Sequence, residues 1–164
     1  QVSASVRRTV SGGIRRGLIR RLAAAGRRVG VEPSQSVNVR VTGEDEIADL
    51  HERFMGLRGP TDVLSFPAND PLGFDVGGGN GIESELSEAL GDIVIAWPVA
   101  VRQSTHRGAG PAAWEAELVD LALHGLAHLL GHDHGARDQA RAMLRLERRL
   151  ARGAQLPAPQ RPYP

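Results

Sequence analysis

From Leu118 to Leu130 the chain reads LVDLALHGLAHLL, a stretch that is apolar almost all round. A helix with no polar side has to be covered on every side, so this segment is expected to be buried. His124 and His128 are set into it one turn apart, on one face. Four of the six histidines fall within the eleven residues from His124 to His134, and three of them follow the pattern H-x-x-x-H-x-x-G-x-x-H. Gly131 can end the helix in a left-handed conformation and turn the chain back, bringing His134 toward the same face. Two buried imidazoles in register need partners for their nitrogens, and a shared metal ion satisfies both. Three protein ligands leave a fourth position open, the mark of a catalytic rather than a structural zinc site.

Zinc proteases of the H-E-x-x-H-x-x-G-x-x-H type share this spacing but carry a glutamate directly after the first histidine, as general base. Here that position is Gly125. The ligand set is intact and the protease base is missing, which disfavours that chemistry. Cysteine is absent, so thiolate sites and disulfides are excluded and imidazole and carboxylate are the strong ligands that remain.

The run HGLAHLLGHDH from His124 to His134 resembles the H-G-x-L-H-L-x-G-Y-D-H signature of the YbeY family, bacterial metal-dependent endoribonucleases implicated in ribosomal RNA maturation. Two further blocks are similar to the family's strands: Pro60 to Pro67 reads PTDVLSFP, and Gly91 to Ile95 reads GDIVI. The blocks share the family's order and spacing, over about residues 35–150. The resemblance implies an α/β (α+β) fold, with a small mixed sheet of about four strands, some five helices and a zincin-like metal helix. It also implies one zinc ion on His124, His128 and His134, and an RNA substrate cut at a phosphodiester. Ribosomal RNA precursors, the ribosome and its proteins are the implied partners. Three positions depart from the family pattern. Ala127 replaces leucine, His132 replaces tyrosine and adds a fourth nitrogen near the cage, and Met55 stands where the family has an arginine. Arg53 and Arg58 are the nearby candidates to supply that charge.

At 164 residues the chain is expected to be one domain, residues 1–154, with a Pro-rich disordered tail over 155–164. Net charge is only +1, yet every basic residue is arginine, and eight arginines lie between Arg7 and Arg28 with no acid among them. That run reads either as a solvated face with arginine-biased composition or as a phosphate-facing stripe. No run of about twenty apolar residues argues for a membrane span. The opening residues lack the charged start and apolar core of a secretory signal, so a cytoplasmic location is expected.

Apolar spacing predicts a helix over 10–26 and a strand over 37–41. A second helix is expected over about 44–54, capped by the Thr42 hydroxyl. Strands follow at 63–66 and 93–96, separated by a glycine-punctuated mobile loop over 68–90 whose ESELSEAL segment reads as solvated acidic surface. Pro98 suits a short helix reaching His106, Pro111 opens the metal-bearing helix, and an amphipathic helix covers 136–152. Glu117 and Asp120 share the face of His124, and either could orient its second nitrogen or simply sit near the surface. Asp133 could be a general base or could cap the turn that aims His134. Asp62 and Ser65 fall near the site by resemblance. His51 and His106 are expected on the surface.

The sequence thus reads as a zinc-dependent single-strand endoribonuclease acting in ribosomal RNA maturation and quality control. Two alternatives remain: a ribosome-associated assembly factor with a structural metal, and a metal-dependent peptidase or amidohydrolase with another base.

Overall fold

The structure, a computed structural model, describes residues 2–6, 10–69 and 88–159. β1 (Val2–Val6) leads through α1 (Gly12–Val29), β2 (Gln35–Thr42), α2 (Glu44–Met55), β3 (Val63–Pro67) and β4 (Glu88–Ala96) to α3 (Trp97–Gln103). A 3-10 turn (Ser104–Arg107), α4 (Pro111–Leu129) and α5 (Arg137–Gly153) complete the order. The strands form one mixed sheet in the order β1-β2-β4-β3. β1, β2 and β4 run parallel, and β3 pairs antiparallel to β4. The expected α/β class is what forms, with four strands in the sheet and five α-helices among the described residues.

β4 explains why GDIVI carries three apolar residues in a row. Ile93 and Ile95 join a core with α1, α4 and α5, whereas Val94 and Ala96 join a second core with Ile47 of α2 and with Leu64 and Phe66 of β3. Alternate side chains point to opposite faces, so a strand covered on both sides needs apolar residues at every position. Each such isoleucine contributes roughly 1.5–3 kcal/mol on full burial. β2 presents Val37, Val39 and Val41 to the larger core. The result is a sheet with α1, α4 and α5 on one face and α2 on the other.

Several sequence expectations change in detail. β1 was not anticipated: VSASV offers only two valines, and it is recruited by pairing with β2 along one edge. β4 begins at Glu88, so the last residues of ESELSEAL belong to a strand instead of a loop; pairing with β2 from Gln35 onward extends it. Residues 70–87, which include the glycine run and the rest of the acidic segment, lie outside the described residues, as do Arg7 and Arg8. The cap of α2 is Gly43, not Thr42, and the Thr42 hydroxyl donates to the Glu46 carboxylate instead of accepting a first-turn amide. Beyond α5, Leu156 packs against the larger core and its N–H donates to the Ala151 carbonyl at 2.9 Å, while 160–164 lie outside the described residues.

Candidate metal centre

α4 begins where Pro111 fits a first turn that needs no amide donor. From Glu117 to Leu129 all its residues are buried except His124 and His128, which are half-buried. The two rings sit 4.8 Å apart between centroids. The helix ends as the glycine predicts. Gly131 has φ of 82°, its N–H donates to the His128 carbonyl at 2.9 Å, and the His132 N–H reaches back to Ala127 at 3.1 Å. This pair of bonds is the Schellman closure, which reverses the chain at the end of a helix. Asp133 then accepts the His134 N–H on Oδ1 at 2.7 Å, fixing the turn from which His134 projects. His134 comes to 5.7 Å from the His124 ring and 5.3 Å from the His128 ring. One nitrogen from each of the three rings lies within 4.8 Å of the others.

The partner that orients His124 is Glu147 of α5, a residue that nothing in the sequence pattern connects to the histidines. Its Oε1 lies 2.8 Å from His124 Nδ1, and the glutamate is only 3% exposed. A carboxylate there accepts, so Nδ1 carries the proton and Nε2 keeps its lone pair for a ligand. Glu117 and Asp120, the expected candidates, are instead engaged by Arg107 of the 3-10 turn. Its Nε is 2.6 Å from Glu117, and its terminal nitrogen is 3.1 Å from Asp120. The helical wheel placed both acids on one ridge correctly, but that ridge meets an arginine before it meets the histidine. Glu147 had a legible signal of its own. It lies on α5 among the buried Ala140, Met143, Leu146 and Leu150, an acid on an apolar face.

These residues fit a divalent metal of the zinc kind. Three imidazoles are a favourable donor set, and a ring held from behind by a buried carboxylate is a common arrangement around zinc. The pKa of His128 is lowered from its ordinary 6.5, first by burial and then by its two histidine neighbours. A lowered pKa keeps this imidazole neutral and able to ligate.

Gly125 now has a physical reason. A Cβ there would lie 2.8 Å from Ile93 Cγ2 and 2.9 Å from Ser65 Oγ, where α4 presses against β3 and β4. A side chain at this position would have to displace Ile93 and Ser65, so packing as well as sequence disfavours the protease base.

Beside the histidines opens a cavity of about 380 Å³, walled by Val63, Leu64, Ser65 and Pro67 of β3, by Met55, and by His124, His128, Gly131, His132 and Asp133. Asp133 and Ser65 therefore reach the cavity. His132 lines it too, outside the three-nitrogen cluster. Neither Arg53 nor Arg58 is in the wall. The Arg53 guanidinium lies 5.5 Å from the Phe54 ring, and Arg58, its side chain 90% exposed, pairs with Glu52 at 3.1 Å. Asp62 accepts from Val63 N–H at 2.8 Å and from Gln103 at 3.1 Å. His51 bonds the Gly59 carbonyl at 2.9 Å, away from the cluster. His106 stands 3.7 Å from Glu117.

Comparison with known proteins agrees with this architecture. The family model described as Endoribonuclease YbeY matches residues 7–155. A protein of that name from Frankia alni is 39% identical over 120 residues, covering 73% of this chain and 64% of the relative. One from Cutibacterium acnes is 40% identical over 121 residues, covering 73% and 72%. The chain thus spans less than two thirds of the Frankia relatives, 64% and 57% of their lengths. A solution structure of a Thermotoga maritima protein superposes with a TM-score of 0.51 at 19% identity, over 99% of this chain and 100% of that one, and shares the fold. Three histidines in the family's spacing, the two strand blocks that pack beneath them and a match over nearly the whole length lead to one conclusion: the chain belongs to the YbeY family.

Proposed function

We propose that this protein is a metal-dependent endoribonuclease, with zinc as its metal, that cuts single-stranded RNA in ribosomal RNA maturation and ribosome quality control. The observation that carries this reading is the cluster of three imidazoles, one of them fixed by Glu147 and two of them, His124 and His128, in the wall of an open cavity. The relatives named as endoribonucleases support the RNA substrate. His124, His128 and His134 would hold the ion. Bound there, it supplies Lewis-acid polarisation of a phosphodiester. Glu147 sets the tautomer of His124 and keeps the ring from turning. Asp133 is the carboxylate of the cavity wall, and we assign it the acceptance of a proton from the attacking water. Arg53 and Arg58 stand outside that wall and receive no part in the chemistry. The working unit is a single domain over residues 1–154, in the cytoplasm; no helix among the described residues is long and apolar enough to cross a membrane. Ribosome association belongs to the same proposal.

A zinc-loaded sample should cut single-stranded RNA slowly and selectively. A chelator or His128→Ala should abolish the cuts, and mapping of RNA ends in cells lacking the protein should show unprocessed ribosomal precursors. Cleavage that survives both treatments, or rapid degradation of any RNA, contradicts the reading.

A further inference from the structure

α5 carries its charge on one side. Arg137, Arg141, Arg145, Arg148, Arg149 and Arg152 are all exposed. At about 100° per residue they fall within an arc of roughly 120°, opposite the buried face. Among the described residues no acidic side chain lies within 4.0 Å of any of them. Like charges one turn apart weaken a helix slightly for each pair, so the row is a concentration of positive charge held at some cost. Glu147 is turned inward to His124, which leaves Asp138 as the acid on the outer face.

The row also has a place. Arg137 follows His134 by three residues, so one end begins within about 11 Å of chain from the histidine cluster. From there it runs about 22 Å, at 1.5 Å per residue, to Arg152. It continues past the helix, because Gly153 is seated against Ala24, Ala25 and Arg28 of α1. The arginines of α1 are arranged differently. Arg21 is paired with Glu115 at 3.2 Å, and Gly17 also faces Glu115. That end of α1 therefore sits by the start of α4, nine residues before His124 and about 13 Å from it along the helix. The acids Glu44, Asp45, Glu46, Asp49 and Glu52 are on α2, across the sheet.

We propose that the outer face of α5, continued by Arg28, is a phosphate track that grips single-stranded RNA several nucleotides away from the bond to be cut. Guanidinium groups pair with successive phosphates without reading bases, so the track adds affinity and fixes the path of the strand but not sequence preference. This rests on the RNA-cleavage reading above.

The test uses the full chain, metal-free for binding and zinc-loaded for cleavage, with fluorescein-labelled single-stranded RNA of about 16 and about 4 nucleotides. Anisotropy is followed between about 50 and 200 mM salt. The triple variant Arg141→Gln, Arg145→Gln, Arg148→Gln should bind the long RNA about 10-fold more weakly and the short RNA within about twofold of the parent. Its salt slope should fall by about 2, at roughly 0.7 for each phosphate that is no longer neutralised. The same charge change on α1 (Arg15→Gln, Arg16→Gln, Arg20→Gln) should leave both affinities within about twofold. An α5 variant that binds and cuts the long RNA like the parent overturns the track and leaves the cleavage reading standing. Equal losses in the two triple variants overturn it as well, because net charge alone then accounts for binding. A parent that neither binds nor cuts RNA overturns both proposals. Binding that depends on α5 but is seen only with phosphatidylglycerol vesicles overturns the track in favour of a membrane surface.

Discussion

On one wall of the cavity, His124 and His128 project from a helix that is buried almost throughout, and Glu147 holds the first ring from behind. On the other, Met55 is 50% exposed at the end of α2, and the nearby Arg53 and Arg58 are engaged with Phe54 and Glu52. The first side is over-determined: packing, a Schellman turn and an aspartate cap each fix the position of a histidine of the cluster. The second is held by little. A metal cage tolerates small errors poorly, since ligand distances vary by tenths of an ångström, whereas a flexible polyanion can adapt to a loose rim. The rigid side is thus where a metal would be set, and the loose side is where substrate would be accommodated.

Substitutions at Gly125 should produce the largest effect and test the rigid wall directly. Gly125→Ala should cost about 1–3 kcal/mol from overpacking against Ile93 and Ser65. Gly125→Glu adds a buried charge and should prevent folding or lower the melting temperature far more, with no gain of peptidase activity. A stable Gly125→Glu protein would mean that α4 does not press on the sheet as described. Glu147→Gln comes next. It retains the size of the side chain but removes the charge behind His124, and metal affinity by competitive chelation should fall about 10–100-fold. Unchanged affinity would show that the carboxylate does not orient the ligand.

Acid should act on the same wall. The folded pKa of His128 lies below its ordinary 6.5, lowered by burial first. The unfolded chain therefore takes up a proton that the folded one resists. Metal-free protein keeps this part of its stability above about pH 6.5 and loses it as the pH falls from there. Chemical denaturation at several pH values checks the sign, and stability that rises on acidification would reverse it. The smallest effects belong to the residues just outside the loose wall. Arg58→Gln should change stability by less than about 1 kcal/mol, its ion pair being solvent-exposed, and RNA cleavage by less than about twofold. A large loss of cleavage would place Arg58 in the chemistry and extend the working site beyond the cavity wall.

The same contrast explains what could be read from sequence. The clustering of His124, His128 and His134 was legible because its parts are local: an i, i+4 pair, a helix-ending glycine and a third histidine three residues on. PTDVLSFP and GDIVI were legible as strands, since apolar residues concentrate where a strand is buried. Glu147 was not connected to His124, because their hydrogen bond joins two helices 23 positions apart and helical spacing speaks only within one element. Arg107 was missed for the same reason, and its grip on Glu117 and Asp120 removed the two acids that periodicity favoured. β1 has no apolar pattern of its own and exists by pairing, which is a property of β2 as much as of its own residues.

Zinc-edge anomalous diffraction from crystals grown with the metal tests the central claim most directly. The account predicts one strong peak about 2.0–2.1 Å from Nε2 of His124 and from one nitrogen each of His128 and His134. It also predicts Glu147 on the far side of His124 and a remaining position that opens to the cavity. Rings that diverge from the ion, or an ion closed in on all sides by protein ligands, would contradict it.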